Sequence, residues 1–138
     1  MSAPYPLDPE REEAESVRYG LGNMTPIGGY VATTDATTTT IWSGAALATD
    51  EMCIVDAVIS AFHVTEAEAA VYRILGQAWD NGGVITAQSS IYATVESDAA
   101  LTVSFSVTGS TPRLRVTGTA SNYQWNIEMG FAIYRLNA

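Results

Sequence analysis

The chain has 138 residues, 47 % of them hydrophobic, which is one domain's worth and enough to bury a core without a metal or disulfide staple. Charged residues make up only 15 %, and fifteen carboxylates against six arginines and no lysine leave a net charge of −9. An acidic surface repels phosphates, so neither nucleic acid nor an anionic membrane is expected as a partner. Few charges among abundant Thr, Ser and Ala suit a surface largely covered by other subunits; adaptation to a salty habitat gives the same composition.

Residues 1–8, MSAPYPLD, carry two prolines and no periodicity and read as an extended tail. Asp8 is placed as a helix N-cap with Pro9 at the first helical position, and Glu10, Glu12 and Glu13 favour the positive end of the helix dipole. With Gly20 as C-cap this predicts one short helix near 9–19, too short and polar to stand alone. The stretch 20–50 is rich in Gly, Thr and Ala; its β-branched segments at Tyr30–Thr34 and Thr37–Trp42 read as edge strands. Fully extended, residues 1–8 and 19–40 would reach on the order of 100 Å at ~3.3 Å per residue. The expectation is therefore an N-terminal arm over 1–45 that wraps a partner, against the plainer reading of an edge strand with loops. Its larger side chains, Tyr5, Val17, Tyr19, Leu21, Met24, Ile27, Tyr30, Ile41 and Trp42, are the candidate partner-binding residues.

From 46 to 138 the pattern is that of a packed body. Met52–Val64 places Cys53, Val55, Ala57, Ile59 and Ala61 on one side of a strand, and Ala70–Trp79 returns after a turn at Thr65–Glu68. Asn81-Gly82 signals a tight hairpin leading to Val84–Val95. Leu101–Thr108 alternates strictly, with Leu101, Val103, Phe105 and Val107 on one face and Thr102, Ser104, Ser106 and Thr108 on the other. Arg113–Thr119 intervenes before Trp125–Ile133, which alternates Trp125, Ile127, Met129, Phe131 and Ile133 against Gln124, Asn126, Glu128 and Gly130. Short strands with regular turn signals predict an all-β fold, an antiparallel β-sandwich of about seven strands, jelly-roll-like or simple up-and-down.

Chemistry is sparse in this sequence. Cys53 is the one cysteine, excludes an internal disulfide, and reads as a buried structural thiol. His63, the one histidine, has no Ser or Cys context that marks a nucleophile and no further ligands for a metal, so it reads as structural. The acidic pairs Glu66/Glu68 and Glu96/Asp98 lack the oxygen-ligand spacing of a calcium loop and read as exposed turns. Gly20–Gly22 and Gly28-Gly29 do not form a phosphate loop, and Asn23-Met24-Thr25 is a glycosylation sequon without a secretory signal beside it. No apolar run approaches the ~20 residues of a membrane span. The protein is expected to be non-enzymatic, without cofactor or metal, and made in a cytoplasm.

The run AAVYRILGQAWDNGGVITAQSSIYATVESDAALTVSFSVTGSTPRLRVTGTASNYQWNIEM, Ala69–Met129, resembles a domain of tailed-bacteriophage virion proteins, found in head-decoration proteins and tail-fibre segments. The features that carry the likeness are a YRI-type strand ending in Trp79, a Gly-containing hairpin, ESDAAL at Glu96–Leu101, LRVTGTA at Leu114–Ala120 and a final strand opening with Trp125. The resemblance spans roughly residues 52–134 and brings no catalytic residues with it. It implies a virion structural protein. The expected role is a capsid decoration or cement subunit on the capsid exterior, made in the host cytoplasm, clamping the major capsid protein and forming a homotrimer on the particle. The initiator Met beside a single small domain favours a separately expressed subunit. The runner-up is a tail adaptor, fibre or receptor-binding module that reads cell-surface glycan through exposed aromatics.

Overall fold

Strands that are apolar on one face need a second apolar face to close against, and here two antiparallel sheets supply each other's. The computed structural model describes residues 25–96 and 98–135. In chain order the strands are β1 (Thr25–Thr33), β2 (Thr38–Ser43), β3 (Glu51–His63), β4 (Ala69–Asn81), β5 (Val84–Glu96), β6 (Thr102–Thr108), β7 (Thr111–Thr117) and β8 (Tyr123–Arg135). One sheet runs β1-β8-β3-β4-β5, the other β2-β7-β6. The fold is the expected all-β sandwich, with eight strands among the described residues.

The connectivity follows neither simple scheme throughout. β1 pairs with β8 and β2 with β7, so the two ends of the described chain wrap round each other in separate sheets, as in a jelly roll. β3-β4-β5 then continues as a plain meander. The up-and-down order expected for 46–138 fails at β8, which crosses back to lie between β1 and β3. A strand inserted there is paired on both sides.

The core follows the alternation. Val55, Ile59, Ile74, Trp125 and Ile127 of the large sheet close against Leu101, Val103, Leu114 and Val116 of the smaller layer. Phe105 is half-buried and packs over β4, where Gly76 makes room for it: a Cβ there would sit 2.9 Å from the Phe105 ring. The β4–β5 hairpin turns through Gly82 and Gly83, with φ of 65° and 92°, while Asn81 is the last paired residue of β4. The positive-φ pair is thus one residue later than Asn81-Gly82 suggested, because glycine takes that conformation at lower cost than asparagine.

Residues 25–43, expected in an arm with edge strands, are edge strands of the sandwich itself. β1 borders the large sheet and β2 the small one, so the hydrogen-bonded body begins well before residue 46. Thr33 of β1 is buried, and its Oγ1 accepts the Trp125 indole N–H at 2.9 Å. In β2 a bulge between Thr40 and Trp42 lets the consecutive residues Ile41 and Trp42 both reach the core. The Trp42 ring lies 4.9 Å from that of Phe131. Ile27, Ile41 and Trp42 therefore pack against their own domain. The predicted helix near 9–19, and Tyr5, Val17, Tyr19, Leu21 and Met24, lie outside the described residues.

Candidate functional site

His63 and several carboxylates and phenols meet at one end of the sandwich. His63 closes β3, and its Nδ1 accepts the backbone N–H groups of Thr65 and Glu66, both at 3.1 Å. An acceptor Nδ1 places the imidazole proton on Nε2, which faces Glu66 Oε2 at 3.5 Å. The ring meets Tyr123 edge-on at 5.2 Å, so this histidine pins a turn. Tyr123 donates to Glu68, while Tyr72 donates to Glu96 and to the Leu101 carbonyl. Burial, reinforced by these carboxylates, pushes the Tyr123 phenol up to about 12 and moves the Tyr72 phenol upward as well. Burial likewise raises the Cys53 thiol, which sits inside the core. The two acidic pairs share this end, yet among the described residues no three His, Cys, Asp or Glu side chains come together as metal ligands. The arrangement orders turns.

The outer face of the large sheet is different in character. Ile54, Leu75, Gly76, Gln77, Gln88, Ser89 and Ser90 line a shallow depression of about 490 Å³. Gln88 Nε2 donates to Gln77 Oε1 at 3.1 Å, and Arg73 closes a two-pronged ion pair on Asp56 at 2.9 and 3.2 Å. Val58, Phe62, Leu75 and Tyr92 lie exposed on the same face. Tyr30 of β1 stands on this outer face too, 78 % exposed. It is the one described arm candidate that remains free for a partner.

β5 is the least protected element. It is thirteen residues long, ends the large sheet, and from Val84 to Ala93 only Ile85 is even half-buried. Ile91, Tyr92 and Val84 are 42, 61 and 67 % exposed. Both faces of the strand are open because the smaller sheet is too narrow to cover it. No charged residue or proline lies between Val84 and Val95. Exposed strand edges are ordinarily blunted by charges, prolines or bulges; this one is interrupted only near its end, where the register skips Thr94 between Ala93 and Val95, and is unguarded from Val84 to Ala93.

The outer face of the small sheet carries the remaining feature, which the sequence reading passed over. Pro112, Leu114 and Val116 point into the core, so Arg113 and Arg115 share the opposite face. Arg113 lies between Ser43 and Ser106 in the register, and Arg115 between Thr40 and Ser104. Neither guanidinium takes part in an ion pair or side-chain hydrogen bond among the described residues, and the Nε atoms of both are buried without a partner. Leaving such a donor unmade costs about 1–3 kcal/mol. The signal available in the sequence was the counter-alternation Thr111, Arg113, Arg115, Thr117 beside an apolar series.

No family model and no curated protein matches the chain. Among solved structures, the chain is similar to the tailspike protein of Acinetobacter baumannii phage AM24, at TM-score 0.52 and 11 % identity, covering 97 % of this chain and 28 % of that one. It is also similar to tailspike protein gp49 of Acinetobacter baumannii bacteriophage Fri1, a capsular polysaccharide depolymerase, at TM-score 0.42 and 11 % identity over 89 % of this chain and 22 % of that one. The tailspike protein of Acinetobacter phage vB_ApiP_P1 matches at TM-score 0.40 and 13 % identity, over 82 % and 22 %. The chain thus spans about a quarter of the length of each. The first likeness is one of fold; the other two, below 0.5, carry no argument.

Proposed function

We propose that the chain is a non-enzymatic structural module of a bacteriophage virion, placed in the tail and built to pack against further copies of itself. The observation that carries this reading is β5, an edge strand uncharged from Val84 to Val95, exposed on both faces and continuous with the exposed Leu75 of β4. An edge of this kind recruits another chain by strand addition or by burial of its apolar side chains. The fold shared with part of a phage tailspike supports a tail location. What supports a non-enzymatic role is that His63 and Glu68, at one end of the sandwich, are engaged by a turn and by Tyr123. The partner is a second copy, with three-fold closure the proposed assembly. A symmetric ring of three would cover the β5 edge of every subunit.

Capsid decoration, with the major capsid protein as partner, is the second reading. What favours it is the acidic, lysine-free composition, which suits the outside of a shell built from many contacts. One measurement separates the two. Quantitative mass spectrometry of purified particles should find the chain at a small multiple of three per virion. Hundreds of copies per particle would return it to the capsid shell. A photo-crosslinker at Tyr92 should capture a second copy of the same chain, and capture of the major capsid protein alone would refute the self-association.

A further inference from the structure

The face of the small sheet combines two properties that no role in assembly uses. Among the described residues its cations are unpaired, in a chain of net charge −9 with fifteen carboxylates and six arginines. It is also covered in hydroxyls. Thr38, Thr40 and Ser43 of β2 and Thr102, Ser104, Ser106 and Thr108 of β6 flank the arginines on either side, and Thr38 and Thr117 already exchange a hydrogen bond at 2.9 Å. None of the exposed large apolar side chains among the described residues lies on β2, β6 or β7. An apolar partner has nothing to bury there.

From this we infer that the β2-β7-β6 face is a binding site for a carboxylate-bearing saccharide. A guanidinium presents a rigid fork of donors that matches a carboxylate two-to-two. Side chains two apart on a strand stand about 6.7 Å from one another. Two forks at that separation suit an extended acidic sugar chain better than a single small ion. Each serine or threonine hydroxyl both donates and accepts, as sugar hydroxyls do, so the flanking rows can replace the water that solvates the ring. The net negative charge works against a long polyanion at a distance, so recognition is local and rests on the two arginines together.

The test is titration of the full chain with trigalacturonate, followed by calorimetry and by amide chemical shifts. Saturable binding with shifts confined to β2, β6 and β7 is expected, and the neutral trisaccharide maltotriose should give none. Arg113→Gln with Arg115→Gln should weaken binding at least about tenfold, the factor that one lost charge-assisted hydrogen bond produces. The Lys pair, R113K with R115K, should retain part of the affinity, since charge survives and the fork does not. Circular dichroism of each variant confirms that the sheet has folded. No binding of trigalacturonate, or equal binding by the Gln variant, overturns the inference. So does inorganic sulfate binding as tightly as the saccharide, because the hydroxyl rows would then contribute nothing. Arginine-dependent self-association without saccharide binding overturns it in favour of a protein interface.

Discussion

Replacing Thr33 by valine tests whether the segment before residue 45 belongs to the body or to a partner. Valine keeps the branched shape and strand preference of threonine and removes only the hydroxyl. That hydroxyl accepts the indole N–H of Trp125 at 2.9 Å, and both residues are buried. The substitution leaves a buried donor unmade, which costs about 1–3 kcal/mol. Against the ~5–15 kcal/mol that holds a typical domain, the loss is easily seen. With urea slopes of ~1–3 kcal/mol per molar, the unfolding midpoint should fall by roughly 1 M at unchanged slope. Gly118→Ala gives a second route to the same loss, because a Cβ there would collide with the Thr33 hydroxyl and expel it. Trp125→Phe leaves a cavity of its own, so the pair energy is read from the double-mutant cycle, where about 1 kcal/mol or more of coupling is expected. Urea melts followed by far-ultraviolet circular dichroism serve for every variant, including those without the tryptophan. A Thr33→Val midpoint equal to the parent's, with no coupling in the cycle, would refute the docking of β1 and restore 25–45 to an arm.

Gly76→Ala should destabilise the sandwich by about 1–3 kcal/mol, since its methyl meets the Phe105 ring; thermal melts check it, and Phe105→Leu should relieve part of the loss. Ser104→Ala, on the solvent face beside Phe105, should change stability by no more than about 0.5 kcal/mol and Phe105→Ala by clearly more, so an equal loss in both would refute the inward assignment of Phe105. The buried phenols of Tyr72 and Tyr123 have folded values raised above the ordinary ~10, so their contribution is complete below that pH. It is lost as the pH climbs, through about 12 for Tyr123; alkaline unfolding followed by phenolate absorbance should become shallower in Tyr123→Phe. Ile91→Lys, at a position 42 % exposed on β5, should leave the melting temperature of the isolated chain nearly unchanged while abolishing self-association in sedimentation.

Period-two alternation made most strands, and the direction each side chain takes, legible in advance. Cys53, Val55, Ala57, Ile59 and Ala61 are buried along β3 as their spacing requires, and Trp125, Ile127 and Met129 along β8. These are local properties, because a strand's two faces are set by neighbouring residues. The glycine-rich turn after β4 was legible to within one residue for the same reason.

What the sequence by itself determined, then, was an all-β chain with named inward faces. The tertiary structure decided what those faces meet. Thr33 and Trp125 are 92 residues apart, and no local pattern pairs them. Ile41 and Trp42 break alternation, and only the bulge against β7 turns both toward the core. The alternation of Arg113 with Leu114 was visible from the start, but the missing counter-charge was not. It depends on which strands lie alongside β7, and those, β2 and β6, bring only hydroxyls. β5 likewise reads as an ordinary strand; its exposure arises because a three-stranded layer closes over a five-stranded one and stops short of the edge. Which surfaces are left over after the core has closed is a property of the packing of whole sheets, and that is where the candidate sites of this protein lie.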